Sequence, residues 1–72
     1  MTPNEIARVT KYLRKKFDTS KISIDIPKKE GNPIEMRIGD EFMGIIYRDE
    51  DEDEISYSLN IIILQEDLPV SI

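Results

Sequence analysis

Six consecutive carboxylates are the densest group of chemically capable side chains in this 72-residue sequence. This acidic segment consists of Asp49, Glu50, Asp51, Glu52, Asp53 and Glu54. Its alternate aspartates match the first acidic positions of a calcium-binding loop, but Glu54 stands where that loop needs glycine, and Asn60 stands where it needs a bidentate glutamate. We therefore expect no specific metal site. The segment is either a solvated acidic loop or an electrostatic contact for a basic partner.

The opposite charge is concentrated near the N-terminus. Residues 1–29 carry eight Lys/Arg against three Asp/Glu, whereas residues 30–72 carry two against twelve. Four of the cations share one side of a predicted helix, the basic face, which consists of Arg8, Lys11, Arg14 and Lys15. This face is a solvent-facing side of the helix, a site for an acidic protein or a site for nucleic acid. Because Tyr12 and Phe17 are expected to lean toward the core, stacking on RNA bases has little support.

The sequence contains no histidine and no cysteine. It therefore lacks the usual nucleophile pairs, the usual zinc ligands and a side chain suited to proton transfer near neutral pH. Ser56, Tyr57 and Ser58 alternate along a predicted strand, which indicates two exposed hydroxyls and one buried ring rather than a nucleophile. We expect no enzyme activity and no cofactor.

The N-terminal segment does not resemble a secretory signal. The N-terminus is polar, and the longest apolar run, residues 61–64, is far shorter than the roughly 20 residues that span a bilayer. Together with the lack of cysteine, these features predict a cytoplasmic protein with no membrane contact.

A capping box predicts where the helix begins. Thr2 is the N-cap and Glu5 the reciprocal partner three residues later, with Pro3 at the first helical position. The predicted helix extends from about residue 3 to residue 17, and its apolar stripe consists of Ile6, Val9, Leu13 and Phe17.

Alternating apolar residues predict four strands, at about residues 22–26, 34–38, 41–48 and 55–64, followed by a tail at 65–72. We predict a single α+β domain over residues 1–72, with one N-terminal helix packed on a four-stranded antiparallel β-meander. The alternative strand order pairs the fourth strand with the first. The second half of the fourth strand is apolar on both faces and is expected to be covered on both.

The Gly39-Asp40 pair predicts a tight turn between the second and third strands. In that register Ile38 lies opposite Glu41. Continuing it places Met36 opposite Met43 and Ile34 opposite Ile45.

A single helix covers only one face of the sheet. Ile46, Ile62 and Leu64 are expected on the other face, without a cover. This predicts a homodimer, formed through that second face or through the edge of the fourth strand.

Several short segments resemble a family of short alphaproteobacterial proteins that is catalogued as a domain of unknown function. The segments are Glu5-Ile-Ala-Arg8, Tyr12-Leu-Arg14, Ile38-Gly-Asp-Glu-Phe42 with Gly44, Arg48-Asp-Glu-Asp, and Ser56-Tyr57. The resemblance covers nearly the whole chain and implies a bacterial, single-domain protein. It supplies no catalytic residues, cofactor or substrate. Family members usually place a glycine within the acidic turn, and its absence here implies that this turn is not tight.

The leading hypothesis from the sequence is a small, non-enzymatic protein-interaction module whose basic face and acidic loop engage charged partners. The alternative is a nucleic-acid accessory protein that binds RNA through the basic face.

Overall fold

The architecture is one helix on a four-stranded antiparallel sheet. The computed structural model describes residues 1–29 and 31–72. The elements are α1 (Pro3–Lys16), β1 (Ile22–Ile24), β2 (Ile34–Ile38), β3 (Glu41–Asp51), β4 (Glu54–Ile61) and a 3-10 turn (Gln65–Asp67). The strand order β1-β2-β3-β4 confirms the predicted α+β meander, and the alternative pairing of the fourth strand with the first is wrong. Within the described ranges, no helix combines the length and apolarity needed to cross a membrane.

The predicted capping box begins the helix. The Thr2 hydroxyl accepts a hydrogen bond from the Glu5 amide at 3.1 Å, and the Glu5 carboxylate accepts one from the Thr2 amide at 3.1 Å. The helix ends one residue before the predicted end, because Phe17 is the C-cap and Asp18 turns the chain away with a φ of 53°. Phe17 therefore leaves the apolar stripe and is 52% exposed, which corrects its predicted place in the core.

The core lies between the helix and one side of the sheet, which we call the helix-facing side. It is formed by the buried residues Ile6, Leu13, Ile22, Met36 and Ile46. A helix about 10 Å wide covers about two strands spaced roughly 4.8 Å apart. Here α1 contacts β1, and its Leu13 belongs to the same buried cluster as Met36 of β2 and Ile46 of β3. The helix-facing side of β4, and of β3 beyond Ile46, is left largely uncovered, and we call it the open half.

A β-bulge changes the register of the β2–β3 hairpin. Ile38 pairs with Glu41 as predicted, but the register shifts between Arg37 and Met36, and Met43 is left without a partner in β2. One inserted residue reverses the alternation of the strand beyond it. The predicted pairs of Met36 with Met43 and of Ile34 with Ile45 are therefore wrong.

The bulge also moves Ile46 to the helix-facing side. Ile34 pairs with Ile46, and Ile46 is 3% exposed within the core. Its prediction as an uncovered residue of the other face is wrong, because that prediction counted alternation along β3 without the extra residue at Met43.

The acidic segment belongs to a continuous hairpin, which corrects the prediction of a charged loop after residue 48. β3 continues to Asp51 and β4 begins at Glu54, so only Glu52 and Asp53 remain as the turn. Their φ values of 47° and 68° are both in the left-handed region, as a type I′ turn requires. The absence of glycine therefore did not prevent a tight turn, although each non-glycine residue in this conformation costs about 1 kcal/mol.

The end of β4 also differs from the prediction. The strand ends at Ile61, and only the amide of Ile62 continues the pairing, by donating to the Met43 carbonyl at 3.0 Å. Ile63 and Leu64 are exposed. The expected cover on both faces of this stretch is therefore wrong.

Candidate functional site

The open half of the sheet contains a groove between α1 and β4. Its volume is about 360 Å³. The groove is lined by Arg8, Val9, Tyr12 and Leu13 of α1, by Ile46 of β3, and by Tyr57, Ser58 and Leu59 of β4. Most of these side chains are apolar or aromatic, and the Arg8 guanidinium brings a positive charge to the rim. Tyrosine and arginine are enriched in protein interfaces because each combines a large contact area with polar groups.

A polar cluster closes one end of this groove. The Glu5 carboxylate accepts a hydrogen bond from Arg48 Nε at 2.8 Å and another from the Tyr57 hydroxyl at 2.5 Å. Arg48 also donates to Glu50 at 3.2 Å. Arg48 and Tyr57 are direct partners across the β3–β4 ladder. The cluster therefore attaches the first turn of the helix to the open half.

The protonation states of the cluster follow from these contacts. The hydrogen bond from Tyr57, the bond from the Thr2 amide and the bond from Arg48 lower the pKa of Glu5 to about 2. Hydrogen bonding to Glu5 raises the pKa of Tyr57 and that of Arg48 above their ordinary values. At neutral pH the cluster consists of an anion, a cation and a neutral phenol. A general acid or base needs a pKa near the working pH, so this cluster suits positioning better than proton transfer.

The basic face predicted from sequence lies on the outer side of α1. All four of its residues are exposed, and within residues 1–29 and 31–72 none of them forms an ion pair. Arg14 donates its Nε–H to the Ile22 carbonyl at 2.7 Å, which attaches the last turn of the helix to β1. Arg8 is at the rim of the groove, whereas Lys11 and Lys15 face solvent. Arg8 is thus the member of the basic face that the fold places beside an apolar surface.

Two aromatic residues next to the basic face are more exposed than the sequence indicated. Tyr12 is 61% exposed and Phe17 is 52% exposed. The prediction that both lean toward the core is wrong. Tyr12 lies on the shoulder of the apolar stripe and lines the groove, and Phe17 follows the last helical turn.

The carboxylates of the acidic segment do not converge on one point. Because neighbouring residues of a strand point to opposite faces, Asp49 and Asp51 face away from the helix, whereas Glu50 is on the helix-facing side and contacts Arg48. In the part of the chain that the structure describes, no group of three or more Asp or Glu side chains is arranged to hold a metal ion. The segment instead forms the negatively charged end of a hairpin.

The helix direction places the two charged regions at opposite ends of the molecule. Glu5 in the first turn contacts Arg48, whereas Arg14 in the last turn contacts Ile22, which pairs with Ile38 beside the β2–β3 turn. The acidic turn lies beyond Arg48 by roughly 13 Å, the length of four strand residues. The acidic segment thus lies near the helix N-terminus, where the dipole favours negative charge, and the basic last turn lies at the other end.

Sequence reasoning missed the Glu5–Arg48–Tyr57 cluster and the groove. The missing information was the length of the β3–β4 turn, because a two-residue turn places Arg48 directly opposite Tyr57. The run of acidic residues predicted a loop instead, and a loop of undefined length does not determine which residues of β3 and β4 pair. A count of the register from a two-residue turn at Glu52 and Asp53 would have found this pair.

Comparison with known proteins identifies one family. The model of a family described as protein of unknown function (DUF3126) matches residues 5–67. No curated protein matches the chain, and no solved structure matches it.

Proposed function

The chain belongs to the family described as protein of unknown function (DUF3126), and from that premise we propose that it is a small, non-enzymatic protein-interaction module of the bacterial cytoplasm. The observation that carries the proposal is the groove between α1 and β4, where apolar and aromatic side chains are accessible beside an unpaired basic face. Exposed apolar area of this kind marks binding surfaces in small domains.

The groove selects for a partner of definite chemistry. Tyr12, Tyr57 and Leu59 provide contact area for an aliphatic or aromatic side chain. Arg8 and Lys11 favour carboxylates beside that side chain. The partner is therefore an acidic protein segment with an apolar anchor.

The acidic segment serves as a second, independent contact. Its exposed carboxylates attract basic partners and increase the rate of encounter. Because the basic last turn of the helix and the acidic segment lie at opposite ends, one module can engage two partners of opposite charge.

The non-enzymatic character is supported by the ionisation of the polar cluster. Glu5 is a very weak base with a pKa of about 2, and hydrogen bonding to Glu5 keeps Tyr57 protonated. Neither group is suited to accept or donate a proton near pH 7.

A second candidate function is RNA binding through the basic face. The exposure of Tyr12 and Phe17 favours it, because aromatic rings beside cations stack on bases of single-stranded nucleic acid. The net charge of −5 and the accessible apolar groove favour a protein partner instead.

Affinity capture from an alphaproteobacterial lysate, the source that the family resemblance implies, separates the two candidates. The full chain is immobilised, and retained proteins are identified with and without nuclease. We expect the wild type to capture an acidic protein both with and without nuclease. We expect Tyr12→Glu to lose this capture. The matched control is Tyr47→Glu, which changes a similarly exposed tyrosine on the other side of the sheet. We expect this variant to retain the acidic protein.

A second pair of variants tests the charge requirement. Arg8→Glu with Lys11→Glu removes the capture, whereas Lys28→Glu with Lys29→Glu makes the same change in net charge at the β1–β2 connection and preserves it. Recovery that disappears with nuclease favours RNA binding. Equal capture by both double variants contradicts the proposal.

A further inference from the structure

β4 is an edge strand whose outer backbone groups have no partner among residues 1–29 and 31–72. It has eight residues, Glu54–Ile61, and pairs with β3 in an unbroken register. Natural edge strands are usually protected by short length, lysine, proline or a bulge. β4 has none of these features, and its exposed apolar residues include Ile55, Tyr57 and Ile61.

We infer that a second copy of this chain occupies that edge, so that the two β4 strands pair antiparallel about a two-fold axis at Ser58 and form one eight-stranded sheet. This is strand addition with identical partners, in which each chain offers the same edge to the other. The inference rests on the proposed function, because it names one partner of the open half.

The side-chain pattern of β4 sets the register. With Ser58 opposite its own copy, Tyr57 lies opposite Leu59 and Ile55 opposite Ile61 on the helix-facing side. On the other side, Ser56 lies opposite Asn60. Within residues 55–61, every apolar side chain thus meets an apolar one, and every polar side chain meets a polar one. A shift by one residue places apolar next to polar side chains throughout. A shift by two residues keeps the alternation, but an axis at Tyr57 brings Glu54 into the paired segment, and an axis at Leu59 pairs only residues 57–61 of β4. The axis at Ser58 pairs residues 55–61 without a charged side chain, so we favour this register.

The charges favour the antiparallel orientation. A parallel pair of β4 strands brings two acidic segments side by side, whereas an antiparallel pair places them at opposite ends of the dimer. Each acidic segment then lies at the same end as the basic last helical turn of the other copy, which contains Arg14, Lys15 and Lys16. Glu66 and Asp67 also lie toward that end and reduce this attraction. The orientation therefore depends mainly on the separation of the two acidic segments.

Cysteine cross-linking tests the register, because the natural sequence contains no cysteine. Directly opposite residues of an antiparallel pair have Cα atoms roughly 4.5–5.5 Å apart, which suits a disulfide. Under mild oxidation, Ser58→Cys is expected to form a covalent dimer at least about tenfold faster than Ser56→Cys, whose copy lies about 13 Å away. Equal cross-linking rates, or no covalent dimer with either variant, overturn the inference.

Sedimentation equilibrium of the full chain gives a second measurement without cross-linking. We expect the mass of the wild type to rise from monomer toward dimer at high micromolar concentration. Ser58→Lys places two cations opposite each other and weakens the dimer about fivefold, whereas Ser56→Lys, with the same added charge, changes it little. A wild type that stays monomeric at every concentration overturns the dimer. Loss of lysate capture with Tyr12→Glu still supports the proposed function in that case, so the two failures are distinguishable.

Discussion

Ile22 of β1 and Ile55 of β4 are the same residue type on the same side of one sheet, yet Ile22 is 0% exposed and Ile55 is 50% exposed. The difference arises from the width of the helix and from the length of the β3–β4 hairpin, because Ile55 pairs with Glu50 beyond the Arg48 contact with the first helical turn. Four strands place the outer two about 14 Å apart, and one helix covers about 10 Å of that width. A chain of this size therefore buries half of the sheet well and leaves the other half exposed.

The two edges of the sheet differ in the same way. β1 has three residues and is followed closely by Pro27, so it offers little backbone to another strand. β4 has eight residues and contains neither lysine nor proline. The fold protects the edge next to the core and exposes the edge next to the open half.

The largest expected effect is a difference in the free energy of unfolding between matched side-chain truncations in the two halves. Ile22→Ala leaves a cavity in the core and lowers the free energy of unfolding by about 3 kcal/mol, whereas Ile55→Ala lowers it by less than about 1 kcal/mol. Urea unfolding at low protein concentration measures both. The whole domain is stable by roughly 3 to 5 kcal/mol, so Ile22→Ala can unfold most of the protein. Ile22→Val, with an expected loss of about 1 kcal/mol, leaves a folded protein whose stability can be measured. Equal losses at the two positions would contradict the division into halves.

The next effect concerns the attachment of β4 to β3. A Cβ atom on Gly44 would collide with the backbone carbonyl oxygen of Asn60. Gly44→Ala therefore forces the strands apart and costs about 2 kcal/mol. Hydrogen exchange should show lost amide protection in β4 and retained protection in β1 and β2. Uniform loss of protection in all strands would mean that the two halves unfold as one unit. The control is Ser56→Ala in β4.

The polar cluster gives stability that depends on pH. The pKa of Glu5 is about 2 in the folded chain and roughly 4.3 when unfolded, so the unfolded state binds more protons between these values. The contribution of Glu5 is complete above pH 4.3 and is lost as the pH falls toward 2. We expect the Tm of the wild type to fall as the pH drops through this window. The Tm of Glu5→Gln is expected to be several degrees lower above the window and to fall less within it. Glu66→Gln serves as the control, and an unchanged acid profile in Glu5→Gln would count against the cluster.

The same cluster can be tested by removing one hydroxyl. The hydrogen bond from Tyr57 is the largest cause of the low pKa of Glu5, so Tyr57→Phe raises that pKa toward its ordinary value. Carboxyl NMR titration measures the change. An unaltered pKa of Glu5 would show that the helix start is not attached to the open half through Tyr57.

The smallest expected effect is at the acidic turn, and it is a stabilisation. Glu52→Asn with Asp53→Gly places residues that tolerate the left-handed region at φ values of 47° and 68°. We expect a gain of about 1 kcal/mol, or about 4–8 °C in Tm. A loss of stability would show that the turn is not of type I′.

Local patterns predicted much of this fold, because local interactions determine those parts. The capping box of Thr2 and Glu5, the part of the predicted stripe that ends at Leu13, and the meander order all follow from residues close in sequence. The bulge at Met43 has no such local signal. It is favoured by the burial of Ile46 and by the close approach of β4 to Gly44, which depend on residues distant in the chain.

The candidate site was predicted only in part, for the same reason. The basic face and the acidic segment are visible in the sequence as charges, and the structure places the basic last turn of the helix at the end opposite the acidic segment. Predicting the groove requires knowledge of how far α1 reaches across the sheet. The pairing of Arg48 with Tyr57 requires the turn type at Glu52 and Asp53, and acidic residues give no reliable sign of a type I′ turn.

The central claim is that another chain binds the open half through β4. The most direct measurement is a series of amide NMR spectra of the wild-type chain over a range of protein concentrations. We predict concentration-dependent shifts at residues 54–62 and unchanged amides in β1 and β2. Spectra that do not change with concentration, or shifts that concentrate at β1, would contradict the account.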